Sequence, residues 1–298
     1  MKKPPESSPG TERAEGNAGR EILSLVQEQV DLGPRVPGTG AHDALVETLE
    51  SSLREYAEDV ALQEFTVPFL GQKLHCANVI GAFRARGESV RNGPILLGTH
   101  FDTRPRADRE ADPARRECPI PGANDGGSGT AVLLHALPRL AGLPLERDVI
   151  VVFFDAEDLG NIDGLDFSIG AAHCADHPLG GEPLADVIVL DLVGGAGMVF
   201  DISAHILSHA PSRRLTLDVY RLGAAQGWKP FSADKPERLK YVIADHHPFA
   251  ERGIASCLLI DLDYPQWHTQ DDTPSFMSAE SLGITEAAVL LFLSQNPG

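Results

Sequence analysis

Four short apolar runs, at residues 94–99, 149–154, 186–190 and 254–260, constrain what this chain can fold into more than any other feature. Each is too short for a buried helix and lacks the polar alternation of a half-exposed strand, so each reads as a strand covered on both faces. Helical patterns lie between and after them, at 127–140, near 167–175, near 208–227 and at 279–294. Upstream, Ile22, Leu25, Val26 and Val30 mark a helix over 21–30, and Leu45, Leu49, Leu53 and Tyr56 mark a second over 42–56. Two strand patterns follow, near 60–67 and 78–84, and read as a hairpin. This order predicts an α/β fold: a single domain with a mostly parallel central sheet covered by helices on both faces.

At 298 residues the chain fits one such domain, taken as residues 21–298. Residues 1–20 are polar and rich in Pro, Gly, Ser and Glu, which predicts a disordered tail. They lack the apolar stretch of a signal peptide, and removal of an earlier signal stays open, so the compartment is left undecided. No apolar run reaches the roughly 20 residues of a membrane span. Acidic residues outnumber basic ones 43 to 25, and the formal charge of -18 opposes binding to nucleic acid or an anionic membrane. Cysteines at 76, 118, 174 and 257 form no CxxC pair, which points away from a disulfide framework or a thiolate metal site. Cys76 and Cys257 fall within apolar strand patterns and read as packing residues.

Ionisable residues recur at the ends of the predicted strands: His100 in GTHFDT, Asp125 in GANDGGSGT, Asp158 in FFDAEDLG, Asp191 in IVLDLVGG and His268 in QWHTQDDT. Open α/β sheets place ligands outside the carboxyl ends of their strands, so these side chains converge on one rim. Imidazole with carboxylate is chemistry suited to zinc. In GTHFDT, His100 can bind a metal while Asp102 orients its other ring nitrogen. Asp125 can bridge two cations, or simply cap the helix that starts at Gly127. Asp155, Glu157 and Asp158 crowd the end of a wholly apolar strand; burying them demands a cation, and the alternative is a solvated acidic loop. Asp158 is assigned to metal and Glu157 to proton transfer. For Asp191 ligation competes with a structural salt bridge. In ADHHPF at least one histidine is structural, and Trp267 either walls a pocket or packs the rim. The histidines at 42, 75, 135, 173, 177, 205 and 209 lie in no motif and read as structural or surface. The long loops at 104–121 and 228–241 either line a site or move.

Taken together, GTHFDT, GANDGGSGT, FFDAEDLG, IVLDLVGG, ADHHPF and QWHTQDDT resemble the zinc aminopeptidase superfamily, and within it the glutaminyl cyclases. The resemblance runs from about Pro34 to the C-terminus. It implies one zinc bound by Asp125, Asp158 and His268, Glu157 as general acid and base, and Asp191 with Asp245 in a hydrogen-bonded acid network. Trp267 would line the pocket. The implied reaction converts the N-terminal glutamine of a peptide or protein substrate to pyroglutamate with loss of ammonia. The alternative is a two-zinc aminopeptidase, in which His100 and Asp191 supply the second site. The sequence departs from the best-known relatives at Asp158, where they carry Glu, and leaves the oligomeric state open.

Overall fold

The computed structural model describes residues 9–85, 93–177, 183–232 and 238–295. Two helices open the chain, α1 (Pro9–Asp31) and α2 (Gly40–Tyr56), followed by the hairpin of β1 (Asp59–Phe69) and β2 (Gln72–Phe83). Then come β3 (Ile95–His100), α3 (Gly127–Gly142), β4 (Val149–Phe154), α4 (Ile169–Asp176) and β5 (Asp186–Leu190). A short β6 (Ile202–Ser203), α5 (Ala210–Ala225), β7 (Leu239–Lys240) and α6 (His247–Glu251) lead to β8 (Ala255–Leu259) and α7 (Ala279–Gln295). The six-stranded sheet has the order β1-β2-β4-β3-β5-β8. β4, β3, β5 and β8 run parallel, while the hairpin joins antiparallel through β2. The expected mostly parallel α/β architecture is therefore what forms.

Period-two geometry sorts the strand side chains between two cores. Val149, Val151 and Phe153 join Ile95, Leu97, Ile188 and Leu190 on the face covered by α1, α2, α3, α5 and α7. Ile150, Val152 and Phe154 join Leu96, Val187 and Val189 on the opposite face. All residues of β3 and β4 are buried, which explains their unbroken apolar character. From β3 the chain passes to β4 on one side and then to β5 on the other, so the strand order reverses there. Crevices at such switch points are where open α/β sheets hold ligands.

The tail boundary at residue 20 needs correction. α1 begins at Pro9, and Ala18, Ile22 and Val26 are buried. Gly19 packs directly against the backbone carbonyl of Ala279 at the start of α7, where a Cβ has no room. Composition suggested disorder because the small and polar residues were read without the partner helix that uses them. Residues 1–8 of the expected tail lie outside the described residues.

α2 is tied to the sheet by His42, whose Nε2 lies 3.0 Å from both carboxylate oxygens of Asp155, just past β4. Asp155 also accepts from the backbone N–H groups of Ala77 and Ala156, both at 2.8 Å. Burial alone would lower the pKa of His42, but the Asp155 carboxylate outweighs it and raises the value to about 9.

Two outcomes follow from this packing. Gly19→Val is expected to destabilise the protein by about 1–3 kcal/mol, visible as a lower Tm, whereas a detached tail would be indifferent. His42→Gln should cost about 3–5 kcal/mol, since it strands a buried carboxylate. Because the folded-state value of His42 is raised, its contribution is complete below the unfolded value near 6.5 and is lost as pH rises through about 9. The Tm gap between wild type and His42→Gln should therefore be widest in mild acid and narrow in alkali; a gap that widens with pH would refute the ion pair.

Candidate active site

His100 is the last residue of β3, Asp155, Glu157 and Asp158 follow β4, and Asp191 follows β5 directly. His268 lies on the loop after β8, and Asp125 precedes the start of α3. Their side chains meet at the rim. His100 Nε2 lies 3.2 Å from Asp125 Oδ1 and 3.6 Å from Asp191 Oδ1. His268 Nε2 lies 3.4 Å from both Asp125 Oδ2 and Asp158 Oδ1. Asp125 thus stands between the two histidines and belongs to two donor groups, His100–Asp125–Asp191 and Asp125–Asp158–His268, each with atoms within 4.8 Å of one another. It does not cap α3, whose N-cap position is taken by Gly126 with no side-chain cap bond.

Five atoms around this point are buried and have no hydrogen-bond partner among the described residues: His100 Nε2, Asp125 Oδ2, Asp158 Oδ2, Asp191 Oδ1 and Asp245 Oδ1. Orphaned polar atoms of this kind are costly, and a cation satisfies them. Each donor group offers one imidazole and two carboxylates, with Asp125, Asp191 and His268 also facing the cleft. That donor set fits zinc with a position left for substrate.

Other acids hold the backbone that carries these donors. Asp102 Oδ1 and Oδ2 accept from the N–H groups of Glu157 and Asp158, both at 3.1 Å. Asp272 accepts from the N–H groups of Asn124 (2.9 Å) and Asp125 (3.0 Å) and from Tyr264 Oη (3.0 Å). Arg35, fully buried, donates to the carbonyls of Pro121 and Gly122, both at 2.6 Å. Asn124 Oδ1 accepts from Gly194 N–H at 2.8 Å, which links the Asp125 turn to the chain beyond Asp191. Asp102 was expected to orient His100 with its carboxylate. The backbone carbonyl of Asp102 is instead the closer partner of His100 Nδ1, at 3.2 Å against 3.5 Å, because the carboxylate is engaged by the two N–H groups.

Glu157 and its neighbours are buried, so the solvated-loop alternative does not apply. Burial lifts the carboxyl of Glu157 well above its ordinary range; His100 opposes this, while Asp245, Asp158 and Asp191 add to it. Burial likewise pushes Asp245 up to about 8. His246, beside it, is lowered to about 3, first by burial and then by His205 and His247, so the structural member of the ADHHPF pair is His246. Ser168 Oγ lies 3.4 Å from Glu157 Oε1 and donates toward it.

A cleft of about 610 Å³ opens onto Glu157, Asp125 and His268, with Trp267, Tyr241 and Ile243 along its walls. Trp267 is half-buried, its ring centroid 4.3 Å from that of His268 and 4.0 Å from the Arg109 guanidinium carbon. The loop at 104–121 braces the segments that carry the donors: Arg104, Asp108 and Glu110 bond to the Asp158 and His268 segments. The loop at 228–241 lies partly outside the described residues. The sequence patterns did not single out Arg35, Arg104, Asp108, Ser168 or the scaffold role of Asp272, while His42 is structural as expected. Only Arg104 and Asp272 carried a signal, as neighbours of GTHFDT and members of QWHTQDDT.

The Peptidase family M28 model matches residues 78–293. The glutaminyl-peptide cyclotransferase of Drosophila melanogaster is 28% identical over 276 residues, 84% of this chain and 74% of that protein. The crystal structure of Porphyromonas gingivalis glutaminyl cyclase superposes with a TM-score of 0.83 at 30% identity, over 93% of this chain and 98% of that one. A Zn-dependent exopeptidase from Parabacteroides distasonis superposes with a TM-score of 0.84 at 27% identity, covering 99% and 100%. With its model spanning both donor groups and the cleft, peptidase family M28 is the family to which this chain belongs.

Proposed function

We propose that this protein converts the N-terminal glutamine of peptides to pyroglutamate and releases ammonia, with one zinc held by Asp125, Asp158 and His268. The observation that carries the reading is the inner end of the cleft, where buried Glu157 stands next to that donor group and Trp267 forms the wall. The likeness to glutaminyl cyclases over most of the chain supports it.

Zinc bound there supplies Lewis-acid polarisation of the glutamine side-chain carbonyl. The nucleophile is the substrate's own α-amine, and holding it against the amide carbon supplies the proximity. Glu157 takes a proton from the amine as the new C–N bond forms, then gives it to the side-chain nitrogen, which leaves as ammonia. A carboxyl lifted by burial and by nearby Asp245 and Asp191 suits this exchange, since it holds a proton more readily than an exposed glutamate. Asp191 and Asp245 thereby act on the reaction through Glu157. Trp267 offers an apolar face to the glutamine methylenes, and the acidic cleft favours the substrate ammonium.

A second reading, hydrolytic removal of N-terminal residues, is favoured by one observation: His100, Asp125 and Asp191 form a second donor group. Glu157 would then take its proton from water.

Mass spectrometry of the zinc-loaded protein with two peptides, one beginning with Gln and one with Leu, separates the two. Loss of ammonia from the Gln peptide alone is expected; release of free Leu would establish the peptidase. Glu157→Gln should lower kcat by about 10²-fold or more while zinc content stays unchanged. Trp267→Ala should raise KM by at least about tenfold with little change in Tm, and unchanged kinetics would reduce the ring to packing.

A further inference from the structure

Two of the three residues in the proposed zinc group are tied together behind the site by a single chain of charged contacts. Arg104 is buried on the loop after β3. Its Nη1 lies 3.1 Å from the Asp158 carbonyl, 3.2 Å from Asp158 Oδ1 and 3.0 Å from the Gly160 carbonyl. Its Nε and Nη2 both donate to Asp108 Oδ2, at 3.0 and 2.5 Å. The other oxygen of Asp108 accepts from His268 Nδ1 at 3.1 Å. We propose that Arg104 and Asp108 are positioning residues, acting as one clamp that fixes Asp158 and His268 in the geometry that binds zinc.

The charges are arranged for this. Arg104 alone would compete with a metal for Asp158; its pairing with Asp108 offsets that pull. Arg104 engages Oδ1 of Asp158, and Oδ2 has no hydrogen-bond partner among the described residues. A carboxylate behind a histidine orients the ring and makes its other nitrogen a better ligand. Behind His100 the arrangement differs: its Nδ1 has the Asp102 backbone carbonyl at 3.2 Å as the nearer partner and the Asp102 carboxylate at 3.5 Å.

His268 also adopts a left-handed backbone, φ 57°, which a non-glycine residue holds only when its surroundings insist. The clamp loop supplies those surroundings. Arg109 N–H donates to the His268 carbonyl at 3.2 Å, and Glu110 Oε2 accepts from Gln270 N–H at 3.1 Å. Residues 108 to 110 thus grip the His268 turn at consecutive points.

The clamp rests on the zinc group proposed above, so its test reads metal affinity apart from turnover. The full chain, stripped of metal, is titrated with zinc against a competing fluorescent chelator, and its Tm is measured without metal. Asp108→Asn preserves shape, and this side chain is partly exposed, so the variant should fold with a metal-free Tm near wild type. Its zinc affinity should fall about 10–100-fold, and excess zinc should restore kcat. Arg104→Lys keeps the charge but loses the fork, so a comparable loss reads geometry rather than electrostatics. The double variant should lose little more than the weaker-binding single one. Affinities within about twofold of wild type in both folded single variants would overturn the clamp and leave an ordinary ion pair. Wild type that takes up zinc but leaves the Gln peptide intact would defeat the cyclase reading alone; wild type that takes up no zinc would defeat both.

Discussion

Carboxylates buried side by side repel one another and lose their hydration, and the folded rim of this protein is organised around managing that cost. Asp102, Asp155 and Asp272 each accept two backbone N–H groups, and Asp155 and Asp272 gain a third donor from His42 and Tyr264. Those three acids are satisfied within the protein. Asp125, Asp158, Asp191 and Asp245 each keep an oxygen with no partner among the described residues. Of this second set, Asp125 and Asp191 line the cleft, while Asp158 and Asp245 are buried beside them. Asp125, Asp158 and Asp191 are the acids of the two donor groups that could hold a cation.

The same loops bear conformational cost. Ala156, between Asp155 and Glu157, has φ 58°; Leu192, after Asp191, has φ 50°; Ser168, against Glu157, has φ 63°; and His268 has φ 57°. Left-handed backbone at non-glycine residues costs of order 1 kcal/mol or more each and persists only where neighbouring contacts fix it. At Ala156 the fixing contacts come from Asp155 and Asp102, and at His268 from the loop carrying Asp108 and Arg109. Strain and charge are thus held by one set of hydrogen bonds, which makes the site rigid where donors must converge. The cleft wall beyond it, at Tyr241 and Ile243, is exposed.

Much of this was legible in the chain. β4 and β5 fall where their apolar runs predict, because unalternating apolar runs have few ways to be buried; His100, Asp158 and Asp191 sit at or just past strand ends as expected, whereas Asp125 precedes α3 and His268 lies on the loop beyond β8. The N-terminal boundary was not legible: Gly19 looks like a tail residue until α7 lies against it. Nor was the role of Asp102, since the pattern of histidine and aspartate two apart fits either a carboxylate or a carbonyl contact.

The sequence by itself determined the fold class, the order of strands and helices, and the identity of the residues that meet at the rim, because periodicity and strand-end position are local properties. Only the tertiary structure decided which acids are satisfied and which keep an oxygen without a partner among the described residues. His42 and Asp155 are 113 residues apart in the chain, and Asp108 and His268 are 160 apart. Partners so distant have no spacing rule, and their contact exists only once the sheet order has brought the strand ends together.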